Sequence, residues 1–126
     1  MGRYAKTKGR KFQNFVKSLL ESTFKNWSFK TAIMGESGSD VKIFPEQIFS
    51  VEVKHHKNGL IRKDDMPSET VLKQARELIR KENSHFCLIV LKENYKTPQY
   101  FVLYRNGKLR KLEDISELKE IVKRYK

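Results

Sequence analysis

Ser39-Asp40-Val41-Lys42-Ile43-Phe44-Pro45-Glu46-Gln47-Ile48-Phe49-Ser50-Val51-Glu52-Val53-Lys54 is the stretch that decides the fold. Val41 to Phe44 alternates apolar and polar residues, and so does Ile48 to Lys54. In the second run Val51 and Val53 share one face of a strand, and Glu52 and Lys54 share the other. Pro45-Glu46-Gln47 interrupts the pattern, which predicts two short strands joined as an antiparallel hairpin. Eleven residues separate Asp40 from Glu52, a length that can fold Asp40 back beside Glu52.

Upstream, Gly35-Glu36-Ser37-Gly38-Ser39 reads as a loop and Trp27 to Met34 as a first strand. Phe12, Phe15, Val16, Leu19 and Leu20 recur at helical period, predicting an amphipathic helix from Gly9. The first ten residues, with Arg3, Lys6, Lys8 and Arg10, are expected to form a basic arm, flexible over residues 1–8. Downstream, the polar segment His55 to Pro67 reads as an exposed loop. Ser68 can cap a second helix whose inward residues are Val71, Leu72, Ala75, Leu78 and Ile79. The continuous apolar run from His85 to Leu91 predicts a strand covered on both faces. Asn106-Gly107 predicts the turn of a final hairpin. Asp114, with Glu117 three residues on, predicts the start of a last helix. The expected order is α-β-β-β-α-β-β-β-α, an α/β fold in which helices flank a mixed sheet.

With 126 residues the chain suits one domain over 1–126. Its 27 Lys and Arg against 15 Asp and Glu give a net charge of +12. Such an excess favours a polyanionic partner, DNA before all others, because Lys and Arg release counterions when they bind phosphates. An acidic membrane surface is the rival, and no helix here is basic on one side and richly apolar on the other. The single Cys87 lies in an apolar run, so neither a disulfide nor a thiolate zinc site is expected. Without an apolar span or a signal-peptide core, an intracellular protein is expected.

Glu52-Val53-Lys54 carries the chemistry, since residues two apart on a strand are neighbours on one face. Asp40 and Glu52 together could offer oxygen ligands to Mg²⁺. A plain ion-pair group on a half-exposed sheet is the alternative. Glu-x-Lys by itself decides nothing: 11 Glu and 19 Lys in this chain give about two chance copies. Glu117-Leu118-Lys119 is the second copy, on a helix, where residues two apart do not face each other. Context distinguishes the first copy: strand period, an Asp in a Gly/Ser turn, and a helix after it.

Ser39-Asp40, the gap and Glu52-Val53-Lys54 resemble the PD-(D/E)xK nuclease signature. Lys8-Gly9-Arg10-Lys11-Phe12-Gln13, Gly35 to Asp40 and Gln74-Ala75 are similar to archaeal-type Holliday junction resolvases and related small phage nucleases, over roughly residues 8 to 92. The resemblance implies a restriction-endonuclease-like core, a homodimer, and Mg²⁺, or Mn²⁺ in its place, as cofactor. It implies Asp40, Glu52 and the carbonyl of Val53 as metal ligands and Lys54 as a catalytic residue. Gln74 is expected to turn toward the sheet beside Lys54, and Ser37 to lie by the scissile phosphate. Two positions depart from the pattern: Ser39 replaces a proline, and Gln13 stands where a glutamate is usual, at the edge of the site.

The expected activity is Mg²⁺-dependent hydrolysis of phosphodiester bonds in branched DNA, with the four-way junction foremost. Flap or linear duplex cleavage is the second reading, and an inactive DNA-binding module with a nuclease fold the third. Lys6, Lys8, Arg10, Ser37, His55, His56, Lys57, Arg62 and Lys63 are the expected DNA contacts, the last three on a mobile basic loop. Phe12, Phe15, Phe86, Tyr100 and Phe101 fit core periodicity better than base stacking.

Overall fold

The computed structural model describes residues 3–33 and 35–125, with side chains from Thr7 onward. Along the chain run α1 (Arg3–Thr23), β1 (Ser28–Thr31), β2 (Val41–Phe44), β3 (Ser50–His56), α2 (Glu69–Glu82), β4 (Phe86–Glu93), β5 (Gln99–Tyr104), β6 (Leu109–Leu112) and α3 (Glu117–Lys123). This is the expected order, in an α/β fold. The main sheet is mixed and ordered β3-β4-β5-β6, parallel between β3 and β4 and antiparallel elsewhere.

Helices cover both faces of that sheet. Side chains of α1 and α3 join Val51, Val53, Leu88, Val90 and Val102 in one apolar cluster. Those of α2 join Cys87, Ile89, Leu91, Phe101 and Leu103 in the other. Strand β4 sits between the clusters, so its residues Phe86 to Leu91 are all buried. That is why its sequence lacks alternation. Ser68 caps α2 by accepting from the Val71 N–H at 3.4 Å, and its five inward residues are those of the sequence pattern. Gly107, at φ 95°, closes the β5–β6 hairpin in a conformation that glycine adopts without strain.

Four expectations are corrected. β2 does not form a ladder with β3; it pairs antiparallel with β1 in a separate two-stranded sheet. Its other edge is satisfied by Gln47, whose Oε1 accepts from the Ile43 N–H at 3.1 Å and whose Nε2 donates to the Val41 carbonyl at 3.1 Å. The same amide donates to the Phe49 carbonyl at 3.0 Å, so one side chain bridges the two strands. Second, α1 begins at Arg3, so residues 3–8 belong to a helix rather than a flexible arm. A single glycine costs a helix only about 1 kcal/mol, and Gly9 is absorbed within α1.

Third, Phe15 is 45% exposed although it lies on the helical stripe; Phe12, Val16 and Leu20 form the buried face. Fourth, the loop after β3 is anchored. Leu60 is buried, and the Glu93 carboxylate accepts from the N–H groups of Leu60 at 3.0 Å and Ile61 at 3.3 Å. Two backbone bonds, Arg62 to Met66 and Ser68 to Leu60, close it further.

Phe49 connects β3's entry to the core, fully buried and stacked on Phe86 with centroids 5.1 Å apart. Phe49→Ala is expected to cost about 3–5 kcal/mol in urea unfolding, the range for deleting a large buried ring. A loss under about 1 kcal/mol would show that this ring does not hold β3 in place.

Candidate active site

Register assigns the faces of β3. Ser50, Glu52 and Lys54 sit opposite Cys87, Ile89 and Leu91, and so project on the α2 side. Val51, Val53 and His55 project on the α1 side. As the outer strand of its sheet, β3 leaves one edge of backbone groups unpaired by any strand. The residues just before β2 occupy that edge. The Ser39 Oγ accepts from the Val51 N–H at 2.9 Å, and the Asp40 N–H donates to the Val51 carbonyl at 2.9 Å. The Asp40 Oδ2 then accepts from the Val53 N–H at 2.7 Å.

This brings Asp40 beside Glu52 without a continuous hairpin ladder. The two carboxyl groups are hydrogen-bonded to each other, and the Lys54 Nζ is 3.6 Å from the Glu52 Oε1. Burial raises the Glu52 pKa to about 7, with the neighbouring Asp40 charge adding to it and Lys54 opposing. Burial also raises Asp40, while the Val53 N–H pulls it back. Two like charges in one half-buried site cannot both ionise freely, so the pair holds a proton more tightly than an isolated carboxylate would.

The donor set fits a small hard cation. Backbone groups alternate sides along a strand, and the Val53 N–H is given to Asp40, so the Val53 carbonyl faces the same outer edge. Two carboxylates and one carbonyl oxygen are thus available at this end of β3, the ligand type of Mg²⁺ or Mn²⁺, which keep part of their water shell. Among the described residues no group of three or more His, Cys, Asp or Glu side chains is gathered, so any such ion relies on the backbone and on water.

A residue that the sequence reading passed over holds the site together. Glu82, in the last turn of α2, accepts from the Ser39 N–H at 2.9 Å, the Ser39 Oγ at 2.5 Å and the Ser50 Oγ at 2.7 Å. Ser50 is in turn 2.6 Å from the Ser84 Oγ. Ser39 and Ser50 are fully buried. Gly38 makes room for the clamp: at φ 96°, a Cβ there would lie 2.9 Å from the Glu82 Oε2 and 2.8 Å from the Lys42 Nζ. Sequence held one hint, since an acidic side chain in a helix's last turn opposes the helix dipole and needs compensation elsewhere.

The remaining candidates distribute unevenly. Gln74 is exposed and not turned into the core; it lies at the margin of the stripe centred on Ala75, so sharing a row with Val71 and Leu78 does not bury it. Gln13 is half-buried on α1. Ser37 is exposed, its carbonyl accepting from the Lys42 Nζ at 2.7 Å. His55 packs edge-on against Phe12, centroids 5.5 Å apart, while His56 is exposed, and burial lowers the pKa of both. Lys57 and Lys63 are exposed. Arg62 is engaged by Asp64 at 2.6 Å and Glu69 at 3.2 Å on the anchored loop, which replaces the mobile grip expected of it. Lys8 lies close enough to His55 to affect its charge, Arg10 is exposed, and of Lys6 only the helical backbone is described.

Comparison of the chain with family models, with curated proteins and with solved structures finds no match. No helix among the described residues is long and apolar enough to cross a membrane.

Two outcomes are expected of the site in the absence of metal. A proton held by Glu52 contributes stability that is complete below its ordinary 4.5 and lost as pH rises through about 7. Glu52→Gln in EDTA is therefore expected to gain on the order of 1–3 kcal/mol over the parent at pH 8 and little at pH 5. An equal effect at both values would mean that the carboxyl titrates normally. Glu82→Ala is expected to lose about 2–4 kcal/mol through its three orphaned donors, read by urea unfolding. A neutral result would remove the clamp from this account.

Proposed function

We propose that the chain is a metal-dependent endonuclease that hydrolyses phosphodiester bonds in branched DNA, resolving four-way junctions as a homodimer. One observation carries the reading: two carboxyl groups held in contact, one of them with its pKa raised to about 7, beside a lysine and an outward backbone carbonyl on one strand edge. Keeping two carboxylates together is unfavourable for the fold alone, and a site that stores such repulsion suits a divalent cation. The net charge of +12 supports a polyanionic substrate. The likeness of Ser39-Asp40 and Glu52-Val53-Lys54 to the PD-(D/E)xK signature points the same way.

Asp40, Glu52 and the Val53 carbonyl would hold Mg²⁺ or Mn²⁺. When bound, such an ion supplies Lewis acidity at the phosphate and lowers the pKa of a coordinated water. The protein's own part follows from positions already described. Asp40 is fixed by the Val53 N–H and cannot rotate away without losing that bond. Glu52, which resists ionisation beside Asp40, would be held in its charged form by the bound ion, as metal coordination requires. The Lys54 ammonium lies next to Glu52 and stabilises negative charge developing on the phosphate oxygens. A two-fold pair of such sites would cut two strands symmetrically about a branch point.

The assay uses labelled four-way junction, flap and linear duplex, each with Mg²⁺ or with EDTA. Paired, metal-dependent nicks near the branch are expected, and equal cutting of all three substrates would reduce the activity to general nuclease. Asp40→Asn and Lys54→Ala should each lower the cleavage rate by roughly 100-fold or more, with junction binding retained in Asp40→Asn. Wild-type rates in Asp40→Asn would overturn the site assignment.

A further inference from the structure

A cavity lies on the other side of β3 from Glu52 and Lys54. About 590 Å³ in volume, it is lined by Thr7, Lys8, Lys11, Phe12 and Phe15 of α1 together with His55, Lys92, Asn94 and Pro98. That is ample for a small organic ligand such as one nucleotide. Two features set its chemistry. Phe12 and Phe15 stack with centroids 5.8 Å apart and planes 9° off parallel, yet Phe15 remains 45% exposed. Around this shelf stand three lysines, with no carboxylate among the described lining residues. Apolar surface left open is ordinarily hidden against a partner, and lysines that surround it without acids select a partner carrying negative charge.

Position connects the cavity to the candidate active site. His55 follows Lys54 directly, and the two project to opposite faces of an outer strand. Successive residues on a strand are about 3.3 Å apart. The candidate site and the cavity thus flank the same outer edge, where one DNA strand can reach both.

We propose that this cavity binds one unpaired nucleotide of the DNA substrate, its base stacked on Phe15 and its phosphate held by Lys11 and Lys92. Every base has a π-face, so the site reads strand separation rather than sequence. A paired base cannot enter, because both its faces are already stacked within the duplex. The pocket thus gives the enzyme a preference for branch points and flaps, where nucleotides are splayed. The proposal rests on the nuclease reading and adds to it the feature of DNA that is recognised.

The intact protein, in EDTA so that nothing is cut, is titrated into two DNAs: a flap with a single unpaired 2-aminopurine at the branch, and a blunt duplex of matching sequence. Quenching of the 2-aminopurine and tighter binding of the flap are expected. Phe15→Ala should weaken flap binding roughly 5- to 100-fold relative to duplex binding and abolish the quench, and Phe15→Trp should restore both. Lys11→Ala, also at an exposed position, provides a second variant and should reduce the salt dependence of flap binding by about one phosphate contact. A fluorophore that stays bright, or a Phe15→Ala variant with an unchanged flap-to-duplex ratio, overturns the proposal. A shift of Phe15→Ala from dimer to monomer in sedimentation, with that ratio unchanged, also overturns it and assigns the shelf to a second copy. If the wild type still nicks DNA with Mg²⁺ in these cases, the nucleotide site alone is lost; if it neither binds nor nicks DNA of any shape, both readings fall.

Discussion

An outer strand must dispose of the N–H and C=O groups on its free edge, and β3 does so with two side chains and one backbone N–H rather than another strand. Ser39, Asp40 and Gln47 supply the partners that β2 would have supplied as a neighbour. The chain is thereby fastened to β3 by three hydrogen bonds before β2 and to Phe49 by one after it, while β2 itself pairs with β1. Glu82 locks the arrangement by tying Ser39 and Ser50 to the end of α2. The position of Asp40 is thus a by-product of satisfying β3, and the candidate site inherits its geometry from that requirement.

Satisfying the edge with a carboxylate has an electrostatic consequence. A hydroxyl or amide would serve the Val53 N–H without charge, whereas Asp40 introduces one beside Glu52. The pair resists simultaneous ionisation, and Lys54 offsets only part of the repulsion. Sites that hold unfavourable charge in a fixed arrangement are typical of catalytic or metal-binding machinery, where a ligand removes the conflict. The same strand offers its opposite side to an aromatic and basic cavity, so one short segment connects the candidate site with that cavity.

The order of elements was legible because helix and strand periods were strong in the interior. Val71 to Ile79 and Phe86 to Leu91 could hardly be read otherwise, and each became the element its pattern required. Strand β3 was equally clear, since Val51 and Val53 alternate with Glu52 and Lys54. Misreadings arose where burial depended on distant parts of the chain. Phe15 fits the α1 stripe by angle, yet it stays half exposed while Phe12, Val16 and Leu20 are buried. Leu60 and Ile61 were taken for exposed loop because their anchor, Glu93, lies at the end of another strand.

The sequence by itself determined the element order and the presence of a carboxylate and a lysine side by side on one strand, because both follow from local periodicity. It also determined the positive charge, which is a matter of counting. Only tertiary structure decided that β2 pairs with β1, that Glu82 binds the loop to the sheet, and that Phe15 stands at the mouth of a lysine-lined cavity. Those features depend on contacts between residues tens of positions apart, and nothing in the nearest neighbours of Ser39, Glu82 or Phe15 encodes them.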